Sequence, residues 1–182
     1  MKVRVSPNGV HLFDRLSGLN VLIDELRPKE DAWSMSPRQV SIALTNVCDL
    51  HCGYCYAPKN KATLRAEHVL RWLKELDTDG CVGIGFGGGE PTLHPDFVEI
   101  CKRVAGETQL AVTFTTHGHR LKPKLVERLK GSVHFARISV DGVGRTYEEQ
   151  RGKQFSNLLR GLELIETLSP FGINVVIKER TV

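Results

Sequence analysis

The sequence predicts an α/β fold, barrel-like or open, and three observations predict it. From Gln39 onward, apolar strand-like segments alternate with helical patterns. Those strands run as continuous apolar stretches, as expected when a parallel sheet is covered on both faces. The groups with chemical potential, meanwhile, all follow the ends of strands.

Each element can be justified in order. Val3 to Val5, Val10 to Phe13 and Val21 to Ile23 are short apolar strands separated by Pro7-Asn8-Gly9 and Ser17-Gly18, two turn signatures, so the chain should begin with a small β-meander. Pro28 to Pro37 is polar and proline-bounded apart from Trp33 and Met35 and reads as a connection. The predicted division is therefore residues 1–36 as an N-terminal β element with its linker and 37–182 as the main domain. In the latter, Val40, Ile42 and Leu44 make the first strand, followed by Val82 to Phe86, Leu110 to Phe114, Val133 to Val140 and Ile173 to Ile177. The first helical pattern carries Val69, Leu70, Leu73 and Leu76 and stops at Gly80. The second opens with Pro95, buries Phe97, Ile100, Cys101 and Val104, and stops at Gly106. A third starts at Pro123 and ends at Gly131, and the fourth holds Phe155, Leu158, Leu159, Leu162 and Ile165. Five strands joined by four helices imply right-handed crossovers.

Composition narrows the function. The 25 basic and 21 acidic residues give a net charge of only +4 and are scattered, and aromatics are 7%, so no nucleic-acid surface is expected. No apolar run has the roughly 18 residues of a membrane span and the N-terminus lacks a signal-peptide core, which points to the cytoplasm. Five cysteines is an odd count, and Cys48, Cys52 and Cys55 are clustered, which favours metal ligation over a disulfide framework.

Four groups fall after strands and should meet on one rim: the cysteine loop, Gly87-Gly88-Gly89-Glu90, Thr116-His117-Gly118, and Ser139-Val140-Asp141-Gly142. Cys48-x3-Cys52-x2-Cys55 offers three closely spaced thiolates, suited to an iron–sulfur cluster with one iron left open, since Cys81 and Cys101 lie in apolar surroundings. Zinc is the alternative, with His51 completing a tetrahedron. The glycine run lets backbone approach a ligand, while Glu90 suits an ammonium better than a phosphate. Ser139 and Asp141 should share one side of their strand; Asp141 could equally cap the turn into Gly142. Arg151 can pair with a carboxylate, of a ligand or in a surface salt bridge. His117, alone in a turn, reads as solvated.

The segment from Leu44 to Tyr56, with an aromatic residue before the third cysteine, closely resembles the cluster loop of the radical S-adenosylmethionine (radical SAM) enzymes, and the resemblance extends over residues 38 to 180. It implies a partial (β/α)6 TIM-like radical SAM barrel, here ending after strand five, and a 4Fe-4S cluster on Cys48, Cys52 and Cys55. Its open iron would chelate the amino and carboxylate groups of S-adenosyl-L-methionine. By the same resemblance Tyr54, Gly88, Gly89, Glu90, Ser139, Asp141 and Arg151 are cofactor-binding. His117 departs from the pattern, which has Asn there more often. The implied reaction begins with one electron from a ferredoxin- or flavodoxin-like donor and yields methionine and a 5′-deoxyadenosyl radical that abstracts hydrogen from a substrate. The motifs are most similar to the peptide- and protein-modifying, SPASM-type branch, whose cysteine-rich C-terminal region is not found in these 182 residues; a small-molecule enzyme of cofactor biosynthesis and a non-catalytic metal-binding module are the alternatives. An apolar fifth strand, Gly172 to Val182, at the end of the chain predicts a fragment of a longer fold.

Overall fold

The structure, a computed structural model, describes residues 1–177. Strands β1 (Lys2–Ser6), β2 (Gly9–Phe13) and β3 (Asn20–Ile23) form an antiparallel sheet in that order. The first turn requires Gly9: its φ is 119°, and a Cβ there would stand 2.2 Å from the Ile23 carbonyl oxygen. The second is held by Asp14, whose carboxylate accepts from the Ser17 N–H and hydroxyl at 2.9 and 2.6 Å.

The main sheet contains β4 (Gln39–Thr45), β5 (Gly83–Gly88), β6 (Ala111–Thr116), β7 (Phe135–Ser139) and β8 (Phe171–Asn174), all parallel and in sequence order. Helices α1 (Ala66–Thr78), α2 (Phe97–Glu107), α3 (Pro123–Leu129) and α5 (Phe155–Glu166) supply the crossovers. The core lies between helices and sheet. Ile84, Phe86, Val112, Phe114, Ala136 and Ile138 face the helices fully or almost fully buried, and Phe97 of α2 stacks edge-on against Phe86 and Phe114. The other face of the strands carries small or polar residues: Ser41, Gly85, Gly87, Thr115, Ser139. This alternation turns the apolar side outward to the helices and leaves an open, polar interior.

Two elements differ from expectation. A helix α4 (Arg145–Arg151) occupies what the sequence presents as a loop; only Tyr147 is buried in it, so it has no apolar period to detect. Gly144 and Gly152 bracket it at φ of 54° and 66°. The fifth strand of the sheet ends at Asn174, earlier than Ile177, because the Val176 N–H turns away from the sheet to donate to the Asp141 carboxylate at 2.7 Å. The remainder of that expected strand, from 178 to 182, lies outside the described residues. Among the described residues no helix is long and apolar enough to cross a membrane.

Candidate active site

All of the site residues expected from the sequence line one cavity of about 590 Å³ at the carboxyl ends of the strands. Cys48, Cys52 and Cys55 follow β4; Gly88, Gly89 and Glu90 follow β5; Ser139 ends β7 and Asp141 lies beyond it; Arg151 closes α4. Tyr54 reaches across from the cysteine loop. Cys81 and Cys101 are 1% and 0% exposed and take no part.

Asp141 is the point where three segments meet. Its carboxylate accepts from the Tyr54 hydroxyl, pairs with Arg151 Nη2 at 2.6 Å and takes the Val176 N–H. That is more than capping the turn into Gly142. Arg151 is almost buried, with Nη1 3.7 Å from Cys52 Sγ, its guanidinium over the Tyr54 ring and a buried Nε that has no partner among the described residues. It is therefore no surface salt bridge. Burial alone would lower its pKa, but the charge and hydrogen bond of Asp141, together with Tyr54 and Cys52, more than offset this. Burial, then the Asp141 contact, pushes the Tyr54 phenol up.

Glu90 is 1% exposed, and its carboxylate is filled by protein donors: the Thr92 N–H and hydroxyl at 3.3 and 2.5 Å, the Thr116 hydroxyl at 2.7 Å and the His117 N–H at 3.0 Å. A solvated glutamate is excluded. The two glycines before it are required by protein too. A Cβ on Gly88 would lie 2.3 Å from the Thr45 carbonyl oxygen, and one on Gly89 2.3 Å from that of Val47, so the glycines let this loop seat directly on the base of the cysteine loop.

His117 corrects the expectation of a solvated side chain. It is 5% exposed, accepts the His119 N–H at Nδ1, and through Nε2 donates to Asp49 at 2.8 Å, an assignment of the ring proton that follows from those partners. Burial alone would raise the Asp49 carboxyl; the His117 contact overrides this and holds it below the usual range. Burial pushes the Cys48 thiol up, and the Glu90 and Asp49 charges add to it. The histidine beside Cys48 is thus His117 rather than the exposed His51, which does not line the cavity. The His117–Asp49 pair was not legible in the sequence, because it joins the loops after β4 and β6, two strands separated in the sheet by β5.

A parallel α/β barrel with three thiols, a glycine loop and a buried carboxylate–guanidinium pair on its carboxyl rim defines a cofactor-using enzyme domain. The chain matches the Radical SAM superfamily over residues 42–180 and belongs to it. Members of this family are enzymes that work with a 4Fe-4S cluster and S-adenosylmethionine. Among similar proteins are the AdoMet-dependent heme synthase of Methanosarcina barkeri, 29% identical over 82% of this chain and 45% of that protein, and the sporulation killing factor maturation protein SkfB of Bacillus subtilis, 30% identical over 79% and 36%. The fold is shared with Streptococcus suis SuiB, solved with S-adenosylmethionine and with its precursor peptide SuiA, at a TM-score of 0.77, 17% identity, and coverage of 98% of this chain and 56% of SuiB. The chain thus spans less than half the length of these two relatives.

Proposed function

We propose that Cys48, Cys52 and Cys55 hold a 4Fe-4S cluster and that the cavity beside them binds S-adenosylmethionine for radical chemistry on a peptide. The donor set suits the cluster: three thiols on one short loop open on one cavity, with no fourth cysteine beside them among the described residues. When bound, cluster and cofactor supply a one-electron cleavage to methionine and a 5′-deoxyadenosyl radical that removes hydrogen from the substrate. The protein binds, orients and excludes water. Arg151, whose Nη1 lies beside Cys52 and whose Nε has no partner among the described residues, receives the cofactor carboxylate. Because the Glu90 side chain is already filled by protein donors, it fixes the loop, and the carbonyls of Gly88 and Gly89 take the ammonium. Ser139 and Asp141 face the ribose and methionine groups, and Tyr54 is held in place by its bond to Asp141. The observation that carries this reading is the convergence of the thiols and the Asp141–Arg151 pair on a single cavity.

The test is anaerobic reconstitution with iron and sulfide, followed by dithionite and S-adenosylmethionine. Formation of 5′-deoxyadenosine is expected; its absence in cluster-loaded protein overturns the proposal. A ferredoxin- or flavodoxin-like protein should replace dithionite, and the reducing compartment such a cluster needs is the cytoplasm. The peptide substrate draws support from SkfB and from SuiB with its precursor peptide, whereas the heme synthase favours a small molecule. A mass change in a short peptide encoded beside the gene would decide for the peptide.

A further inference from the structure

The activity proposed above leaves a charged group on the inner face of the sheet unused. Arg137 lies on β7 two residues before Ser139, so it stands roughly 7 Å deeper along the strand than the residue that ends it. Phe135, Arg137 and Ser139 alternate with the buried Ala136 and Ile138, which face the helices, and Arg137 lines the same cavity as the cysteines. Its guanidinium carbon sits 5.4 Å over the Phe135 ring, which supports the head of the side chain without neutralising it. Among the described residues no carboxylate pairs with Arg137 and no hydrogen-bond acceptor meets it. Arg151, by contrast, is matched by Asp141 at 2.6 Å.

There is room in front of it. A Cβ placed on Gly87 would meet nothing within 4 Å, and one on Gly85 would touch the Ser41 and Thr113 hydroxyls only at 3.4 Å. Neutral polar groups, Thr115 and Asn174, line the wall on the strands either side of β7. A half-buried cation in a polar chamber of small residues loses hydration without gaining a counter-charge, so the missing charge is that of a ligand.

The geometry points to Arg137 as the anchor of the substrate: it binds a carboxylate of the molecule that enters the barrel beneath the cofactor. This rests on the proposed function and names the chemistry of its substrate, an acidic side chain or C-terminus if that substrate is a peptide. A single guanidinium fork fits a carboxylate through two parallel N–H···O bonds. Phosphate is disfavoured, because the nearest helix N-termini and glycine turn are at the rim, and Lys59, which lines the cavity without a carboxylate partner among the described residues, belongs to the segment that follows the cysteine loop.

Full-length, cluster-loaded protein treated with phenylglyoxal, with arginine adducts located by mass spectrometry, tests this independently of turnover. The probes are N-acetylglutamate amide, its neutral glutamine counterpart, methyl phosphate and S-adenosylmethionine. The carboxylate probe should slow modification of Arg137 several-fold while the glutamine analogue does not. Arg137→Gln should weaken that probe's binding at least tenfold by calorimetry, with Arg137→Lys intermediate and both melting profiles like that of the wild type. Equal protection by the neutral amide, no protection by any probe, protection by methyl phosphate alone or by S-adenosylmethionine alone would each overturn it. If Arg137→Gln fails to fold, the Arg137→Lys affinity and the wild-type footprint decide. Formation of 5′-deoxyadenosine by the wild type is measured separately, so failure of the radical reading and failure of the anchor remain distinguishable.

Discussion

At the amino end of the parallel sheet, cations of the N-terminal meander close on fixed partners. Arg15 donates to the carbonyls of Ala105, Thr108 and Leu110 at 2.8 to 3.0 Å, Arg4 to that of Gly80, and Lys2 to Asp77 at the end of α1. At the carboxyl end the charged groups instead meet one another across loops: Asp141 with Arg151 and Tyr54, and His117 with Asp49. Sulfur divides the same way. Cys81 and Cys101 are buried, and burial drives the Cys101 thiol above its ordinary range, whereas Cys48, Cys52 and Cys55 open on the cavity. The lower end gives Arg15, Arg4 and Lys2 acceptors at or just beyond the ends of α1 and α2 and thereby fixes the meander to the barrel. The upper end instead turns three thiols and the Arg151–Asp141 pair toward a cavity, an arrangement suited to a ligand.

The largest effect should come from breaking the sulfur half of this comparison. Serine at Cys48, Cys52 or Cys55 should abolish cluster retention and reduce 5′-deoxyadenosine formation by about 10³-fold or more. Cys81→Ala should leave both unchanged within about twofold, as iron content and product analysis would show; equal losses at both ends would contradict the division.

The second effect concerns Asp141. Asp141→Asn removes the charge facing Arg151 and strands a buried cation, so the protein should lose about 3 kcal/mol in denaturant unfolding and bind S-adenosylmethionine at least tenfold more weakly. Arg15→Ala, at the other end, removes three charge-assisted bonds and should cost about 2 kcal/mol, with cofactor affinity unchanged in equilibrium binding. A fall in affinity for Arg15→Ala would mean the two ends are coupled.

The legibility of the molecule from its sequence follows the same division. The parallel strands were readable because each is apolar on its helix-facing side, and the rim residues because they sit at the strand ends, where topology brings such groups together. Helix α4 was not, since a seven-residue polar helix with one buried Tyr147 is fixed by tertiary contacts and two flanking glycines. The Glu90–Thr116, Tyr54–Asp141 and Asp49–His117 bonds were not either, because they join residues 26, 87 and 68 positions apart. Gly88 and Gly89 were found for an incomplete reason: their chain-to-chain approach to Thr45 and Val47 is invisible without the register of β4 against β5. Arg137 was within reach, since alternation from Ser139 already places it on the inner face.

The smallest effect is one of pH and lies at the carboxyl end, in the turn after β6. His119 bonds the Tyr147 hydroxyl at 2.8 Å, and burial, followed by the neighbouring His117, pushes its pKa down to about 4. Between its ordinary value near 6.5 and about 4 the unfolded chain binds a proton that the folded chain does not, so stability falls as pH drops through that window and levels off below it. Because the ring is only half-buried, solvent screening reduces the contribution to about 1–2 kcal/mol. Burial likewise moves the Tyr147 phenol to about 12, so its share of stability is lost above pH 10. His134, also lowered by burial, adds a parallel loss at acid pH, which is why the difference between wild type and His119→Gln is the quantity to measure. Unfolding free energies at pH 7 and pH 4.5 should differ less in His119→Gln than in the wild type; an identical pH dependence would show that His119 titrates as it does in water.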